Sequence, residues 1–205
     1  MNATLPILTR EQFFDWAEAQ DPGYEFDGTA PVLMPSSPIN HCIIRQNLIH
    51  AIHDRLRGSL CRVFGLGVGL ATVGGTVRYP DAMVTCMEAE GSARLVPGVL
   101  AVFEVINPGF EQVDRIEKRQ EYRAVETIRH YVILECAGIG LMVLTRGDGG
   151  DDWTATALGA GDVLQLPEIG IKVPVAEIYA EVDLPDAPGA TKPALESSPE
   201  SLGAP

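Results

Sequence analysis

Apolar residues along the chain fall into separate runs, and their spacing predicts the elements. Thr9, followed by Glu11, Gln12, Phe13, Phe14 and Trp16, reads as a capped amphipathic helix, with the Thr9 hydroxyl serving the free amides of the first turn. It ends before Asp21-Pro22-Gly23. The segments YEF and APVLM around Asp27-Gly28 predict two short strands joined by a two-residue turn, for which Asp-Gly is a strong local signal. Over 39–57, Ile43, Ile44, Leu48, Ala51, Ile52 and Leu56 recur at helical spacing, the stripe of a helix lying on a core, and Gly58 stops it. The period then shortens to that of strands in CRVFGLG, GTVRYPDAMVTCM and VLAVFEVI, with Gly and Pro between them. VLAVFEVI is apolar on both alternating faces, as in an inner strand covered on two sides. A second long helix is predicted over 115–129. HYVILEC and GLMVLTR form a hairpin-like pair, and 153–179 holds one or two more strands and a closing helical turn. The fold class is α/β, a mixed sheet with helices on its faces.

A length of 205 residues supports one core and is too short for two ordinary domains. Residues 1–182 are read as one domain. From Asp183 onward, five prolines in 23 residues, with Ser, Ala and Glu, predict a flexible tail. Hydrophobic residues at 46% and a mean hydropathy of +0.09 exclude a disordered chain. The longest apolar runs fall short of the roughly 18 residues of a membrane span. Cys42, Cys61, Cys86 and Cys136 lie far apart, with no C-x-x-C pair and no zinc spacing. With no basic and apolar leader at the start, the expectation is a disulfide-free cytoplasmic protein.

The net charge of −13, from 28 acidic and 15 basic residues, argues at first against a nucleic-acid partner. The distribution changes that picture. Arg45, Arg55, Arg57 and Arg62 against Asp54 leave 42–62 basic, and Arg115, Lys118, Arg119, Arg123 and Arg129 outnumber the acids of 115–129. The two predicted helices therefore offer a local basic surface, unless their charges are taken up in ion pairs.

Glu104 is the anomaly of the apolar strand, because a carboxylate buried there has to be paired, protonated or bound to a cation. Pairing with an arginine is the plain structural alternative. Asp81, after Pro80 in the preceding strand, is equally readable as a strand-edge turn residue. Consecutive strands tend to be neighbours, so the two carboxylates could meet where a cation offsets their repulsion. A hard divalent ion such as Mg²⁺, which takes few carboxylates and keeps several waters, suits that arrangement. Lys118 is one of only three lysines, with Lys172 and Lys192. It shares a predicted helix face with Asp114 and Tyr122 at i, i+4, i+8. A compact ammonium suits contact with water or a phosphate oxygen, although a helix lysine is commonly a solvated surface charge. Glu25 and His41 are secondary candidates, each also readable as structural. The glycines of GLGVGLATVGG match no phosphate-binding loop, and no nucleophile elbow surrounds Ser36 or Ser37.

In this order, YEFDG, MPSSPINH, VRYPDAMV, FEVINP and the D-x-x-x-K-x-x-x-Y of Asp114, Lys118 and Tyr122 resemble the Uma2 (DUF820) family of restriction-endonuclease-like proteins, part of the PD-(D/E)xK nuclease superfamily. The resemblance runs over roughly 8–179. It implies a restriction-endonuclease-like core, a central mixed sheet flanked by helices, and a metal-dependent endonuclease that hydrolyses phosphodiester bonds in DNA with Mg²⁺ or Mn²⁺. Asp81 and Glu104 are the implied metal ligands, the carbonyl of Val105 a further one, and Glu25 an acid at the metal's outer edge. Lys118 is the implied catalytic lysine. It stands on the following helix, because the superfamily's usual position, two residues after the acid, is Ile106 here. Arg45, Arg115, Arg119 and Arg123 are expected to hold flanking phosphates, and a homodimer suits the cutting of two strands. The chain departs from the family at Asn107-Pro108-Gly109-Phe110, in place of a serine-containing turn, and at Glu126-Thr127, in place of glycine-valine. The alternative is a nuclease-fold module that binds nucleic acid or regulates without cutting.

Overall fold

A computed structural model of the chain describes residues 7–20, 23–34, 36–106, 116–149 and 152–184. The turn Asn107-Pro108-Gly109, the candidates Asp114 and Arg115, and the tail beyond 184 lie outside them.

Thr9 caps α1 (Arg10–Ala17) as its sequence predicts, in a reciprocal box with Gln12. β1 (Tyr24–Phe26) and β2 (Pro31–Leu33) pair antiparallel, with Phe26 opposite Pro31. Their turn has four residues, 27–30, rather than the expected two. Asp27 Oδ1 accepts the amides of Thr29 and Ala30 at 2.8 and 2.7 Å, and these local bonds replace the tight turn. Gly28 takes the φ of +98° that the loop requires. With β5 (Val77–Arg78) and β4 (Leu70–Ala71), the two strands form a small sheet in the order β2-β1-β5-β4.

The larger sheet holds β3 (Arg62–Phe64), β6 (Ala82–Thr85), β7 (Val99–Ile106), β8 (His130–Glu135), β9 (Leu141–Arg146) and β10 (Trp153–Leu158). Their order is β10-β9-β8-β7-β6-β3, antiparallel throughout except for the parallel pair β7 and β8. The alternation of β7 explains its doubly apolar sequence. Ala101, Phe103 and Val105 enter one core with α2 (Ile39–Leu56), β11 (Val163–Leu166), β12 (Ile171–Pro174) and α4 (Val175–Ile178). Val102 and Ile106 enter another with Tyr122, Ile128 and Tyr131. A mixed sheet flanked by helices is thus the observed architecture. The packed chain runs slightly past the expected boundary at 182: Leu184 lies against the core, and Asn40 donates to the Asp183 carbonyl at 2.7 Å.

Two expectations are corrected. Among the described residues the helix predicted over 115–129 has its α-helical part in α3 (Lys118–Arg123), followed by a loop into β8. The cause is Arg146 of β9, which donates to the carbonyls of Arg123 at 2.6 Å, Val125 at 2.9 Å and Ile128 at 2.8 Å. Its guanidinium also lies 4.8 Å over the Trp153 ring. Nor is the chain disulfide-free. The pairing Arg62↔Thr85 sets Cys61 opposite Cys86, and the two are bonded. Sequence spacing gave no hint of this, because an antiparallel register brings together residues separated by 25 positions. Among the described residues no helix is long and apolar enough to cross a membrane.

Unfolding without reductant is expected to release two titratable thiols per chain, Cys42 and Cys136; four would contradict the bridge. Arg146→Met withdraws the guanidinium donor from three carbonyls and is expected to lower stability by about 2–4 kcal/mol in urea unfolding. A loss below about 0.5 kcal/mol, the scale of an ordinary surface change, would show that Arg146 does not shape the loop.

Candidate active site

Glu104 lies inside β7 and Asp81 just before β6. One step beyond the pair Ala82↔Phe103, the antiparallel register brings them opposite each other. Both are buried, at 4% and 6% exposure, and both line a cavity of about 410 Å³.

Asp81 takes its partners from α2 and from β7. Its Oδ2 accepts the Val105 amide at 2.8 Å and lies 3.2 Å from His41 Nε2, while its Oδ1 is 3.5 Å from Arg45 Nη1. Glu104 takes its partners from α3. Lys118 and Tyr122, one helical turn apart, both donate to Glu104 Oε1, at 2.9 and 2.8 Å. Burial, reinforced by the Glu104 charge, pushes the Tyr122 phenol well above its ordinary pKa, so its hydroxyl stays a donor. The two carboxylates of one cavity are thus held by partners from different elements.

A third acid completes the arrangement. Glu25 of β1 lies 3.8 Å from Lys118 Nζ, accepts the Tyr79 amide at 3.1 Å, and receives Arg78 at 2.9 Å. Arg78 also forks onto Glu121, at 2.7 and 2.6 Å. Burial opposes the Arg78 charge, yet the carboxylates of Glu121 and Glu25 outweigh it and hold the guanidinium protonated above its ordinary range. Arg78 therefore joins the small sheet to α3 and fixes Glu25 beside Lys118. Sequence reading missed both Arg78 and Glu121. The available signal was a basic residue three positions before Asp81 in a strand otherwise apolar.

The candidates His41, Arg45, Val105, Glu25, Asp81, Glu104 and Lys118 all line the cavity. Arg119 and Arg123 are exposed on α3 and do not line it. The basic surface expected on α2 is divided. Arg45 faces Asp81, while Arg55 and Arg57, near the other end of that helix, pair with Glu177 and Asp54. Among the described residues, no three His, Cys, Asp or Glu side chains are grouped to hold a metal ion. The oxygens of Asp81, Glu104 and the Val105 carbonyl are hard donors. They suit an ion of the Mg²⁺ type, which keeps several waters and takes only one or two protein carboxylates.

The family model Uma2, described as "Putative restriction endonuclease", matches residues 10–176. The uncharacterized protein slr1290 of Synechocystis sp. is 26% identical over 181 residues, which cover 87% of this chain and 94% of that protein. A crystal structure from Anabaena variabilis, of "a putative nuclease belonging to DUF820", matches with a TM-score of 0.67 at 12% identity. The match covers 84% of this chain and 98% of that one, and it shows the likeness of fold.

Arg78→Met leaves Glu25 and Glu121 without their shared cation and is expected to cost about 3–5 kcal/mol in urea unfolding. A cost under about 1 kcal/mol, that of an exposed ion pair, would show that the clamp does not hold the site together.

Proposed function

The chain belongs to the Uma2 family, and on that premise we propose that it is a metal-dependent endonuclease that hydrolyses phosphodiester bonds in DNA. The observation that carries this reading is the meeting of the buried side chains Asp81, Glu104 and Lys118 at one cavity, with Lys118 Nζ 2.9 Å from Glu104.

Asp81, Glu104 and the Val105 carbonyl would hold the ion. Mg²⁺ or Mn²⁺, when bound, supplies Lewis-acid polarisation of the phosphate and a bound water of lowered pKa. The chain's own residues do the rest. Lys118 Nζ hydrogen-bonds the attacking water or a non-bridging phosphate oxygen and stabilises the charge that grows in the transition state. The Tyr122 hydroxyl fixes the Glu104 carboxylate, and the Val105 amide fixes that of Asp81, so neither has to reorganise when substrate arrives. Arg78 holds Glu25 beside Lys118, where its charge keeps the ammonium in place. Arg45 at the cavity, with Arg119 and Arg123 outside it, supports flanking phosphates and sets position rather than sequence.

A second reading, a nuclease-fold module that binds nucleic acid without cutting, draws on the direct ion pair of Lys118 with Glu104. It also draws on the lack of a third grouped donor among the described residues.

Purified protein is expected to nick supercoiled plasmid and to cut circular single-stranded DNA with Mg²⁺ or Mn²⁺, and to stop in EDTA. Asp81→Asn and Glu104→Gln should each slow cleavage by at least about 10²-fold, and Lys118→Met by about 10²–10³-fold. Full activity of Asp81→Asn would overturn the assignment. DNA binding without cleavage under either ion would favour the second reading.

A further inference from the structure

A second cavity, of about 750 Å³, adjoins the first and shares Leu33, Met34, Leu66 and Tyr79 with it. Its chemistry is different. The first is lined by several carboxylates and their cations, whereas the second has the rings of Phe14, Tyr24 and Tyr79 together with Ala17 and a single ion pair, Arg94 with Glu18. The aromatic wall is already assembled. Phe13 stacks on Phe26 with centroids 5.0 Å apart, which fixes α1 on the small sheet, and Trp16 meets Tyr24 edge-on at 4.9 Å. Arg94 lies 5.6 Å over the Phe14 ring and is held there by Asp15 and Glu18. Leu33 and Leu66, on the shared wall, leave 53% and 47% of their surface to solvent. They give the junction of the two cavities an apolar surface on which the flat face of a ligand can lie.

Resting on the nuclease reading of the first cavity, we propose that the second takes an unpaired nucleobase of the same strand whose scissile phosphate lies in the first cavity, within reach of Lys118. A nucleotide joins an anionic phosphate to a flat π-face at short range, and the two cavities offer a site for each in the same order. The charge balance favours this occupant. Arg45, Arg78, Lys118 and Arg94 are each bonded to a carboxylate. A chain of net charge −13 has little to hold a run of phosphates with. Base stacking on aromatic rings does not depend on net charge and serves any base. A base paired within a duplex does not reach such a cavity. The preferred substrate is therefore single-stranded DNA, or a strand from which a base has been turned out.

The test uses the full chain in EDTA, so that nothing is cut, and fluorescence anisotropy with three probes of one length: oligothymidylate, an all-abasic phosphodiester oligomer, and a duplex. Oligothymidylate is expected to bind about five- to hundredfold more tightly than the abasic oligomer, and more tightly than the duplex. Tyr24→Leu, which removes a ring that lines the second cavity and not the first, should erase much of that advantage without changing abasic binding. Equal affinity for oligothymidylate and the abasic oligomer, or tighter binding of the duplex, would overturn the base site. The two readings fail separately. Base-dependent binding with no cleavage under Mg²⁺ or Mn²⁺ removes the nuclease and keeps the base site, whereas plasmid cleavage with equal oligomer binding does the reverse.

Discussion

Glu104 is an ionisable side chain at 4% exposure in an inner strand of the sheet, and the cost of burying its charge organises what surrounds it. An isolated carboxylate there would lose several kcal/mol of hydration. α3 meets that cost by presenting Lys118 and Tyr122 from successive turns to one carboxylate oxygen. α3 must then be held at a set distance from β7, and two arginines do so. Arg78 ties its Glu121 to β1, and Arg146 anchors the loop that ends it. The same devices that make a buried acid tolerable also leave it facing Asp81 across one cavity.

This use of charge also gives the acidity of the chain its meaning. Many of its cations are spent inside the fold or in local pairs, as Arg78, Arg146, Arg55 and Arg129 show. Among the described residues the basic stretch of α2 is divided between Asp81, Glu177 and Asp54, whereas Arg119 and Arg123 of α3 are exposed. On the reading proposed above, recognition centres on the buried acids and the aromatic wall beside them, with Arg119 and Arg123 as the exposed contacts to flanking phosphates.

Much of the frame was legible because it rests on local periodicity. The capped α1, the stripe of α2 and the doubly apolar β7 are consequences of spacing, and Glu104 stood out because nothing else in its strand is charged. Asp81 followed once consecutive strands were taken as neighbours. What stayed hidden depends on distant pairings. The bridge Cys61–Cys86 needs the β3·β6 register, the end of α3 depends on an arginine more than twenty residues later, and the Arg78 clamp joins three elements. The Asp27-Gly28 turn misled for a different reason. Its aspartate bonds within its own loop, and that local competition outweighed the usual preference of the dipeptide.

The most direct measurement is calorimetric titration of the full chain with Mn²⁺ in the absence of nucleic acid. Binding that weakens at least about tenfold in both Asp81→Asn and Glu104→Gln, with folding retained by circular dichroism, is the expected result. Mn²⁺ affinity unchanged by either substitution would mean that the two buried acids serve the fold alone.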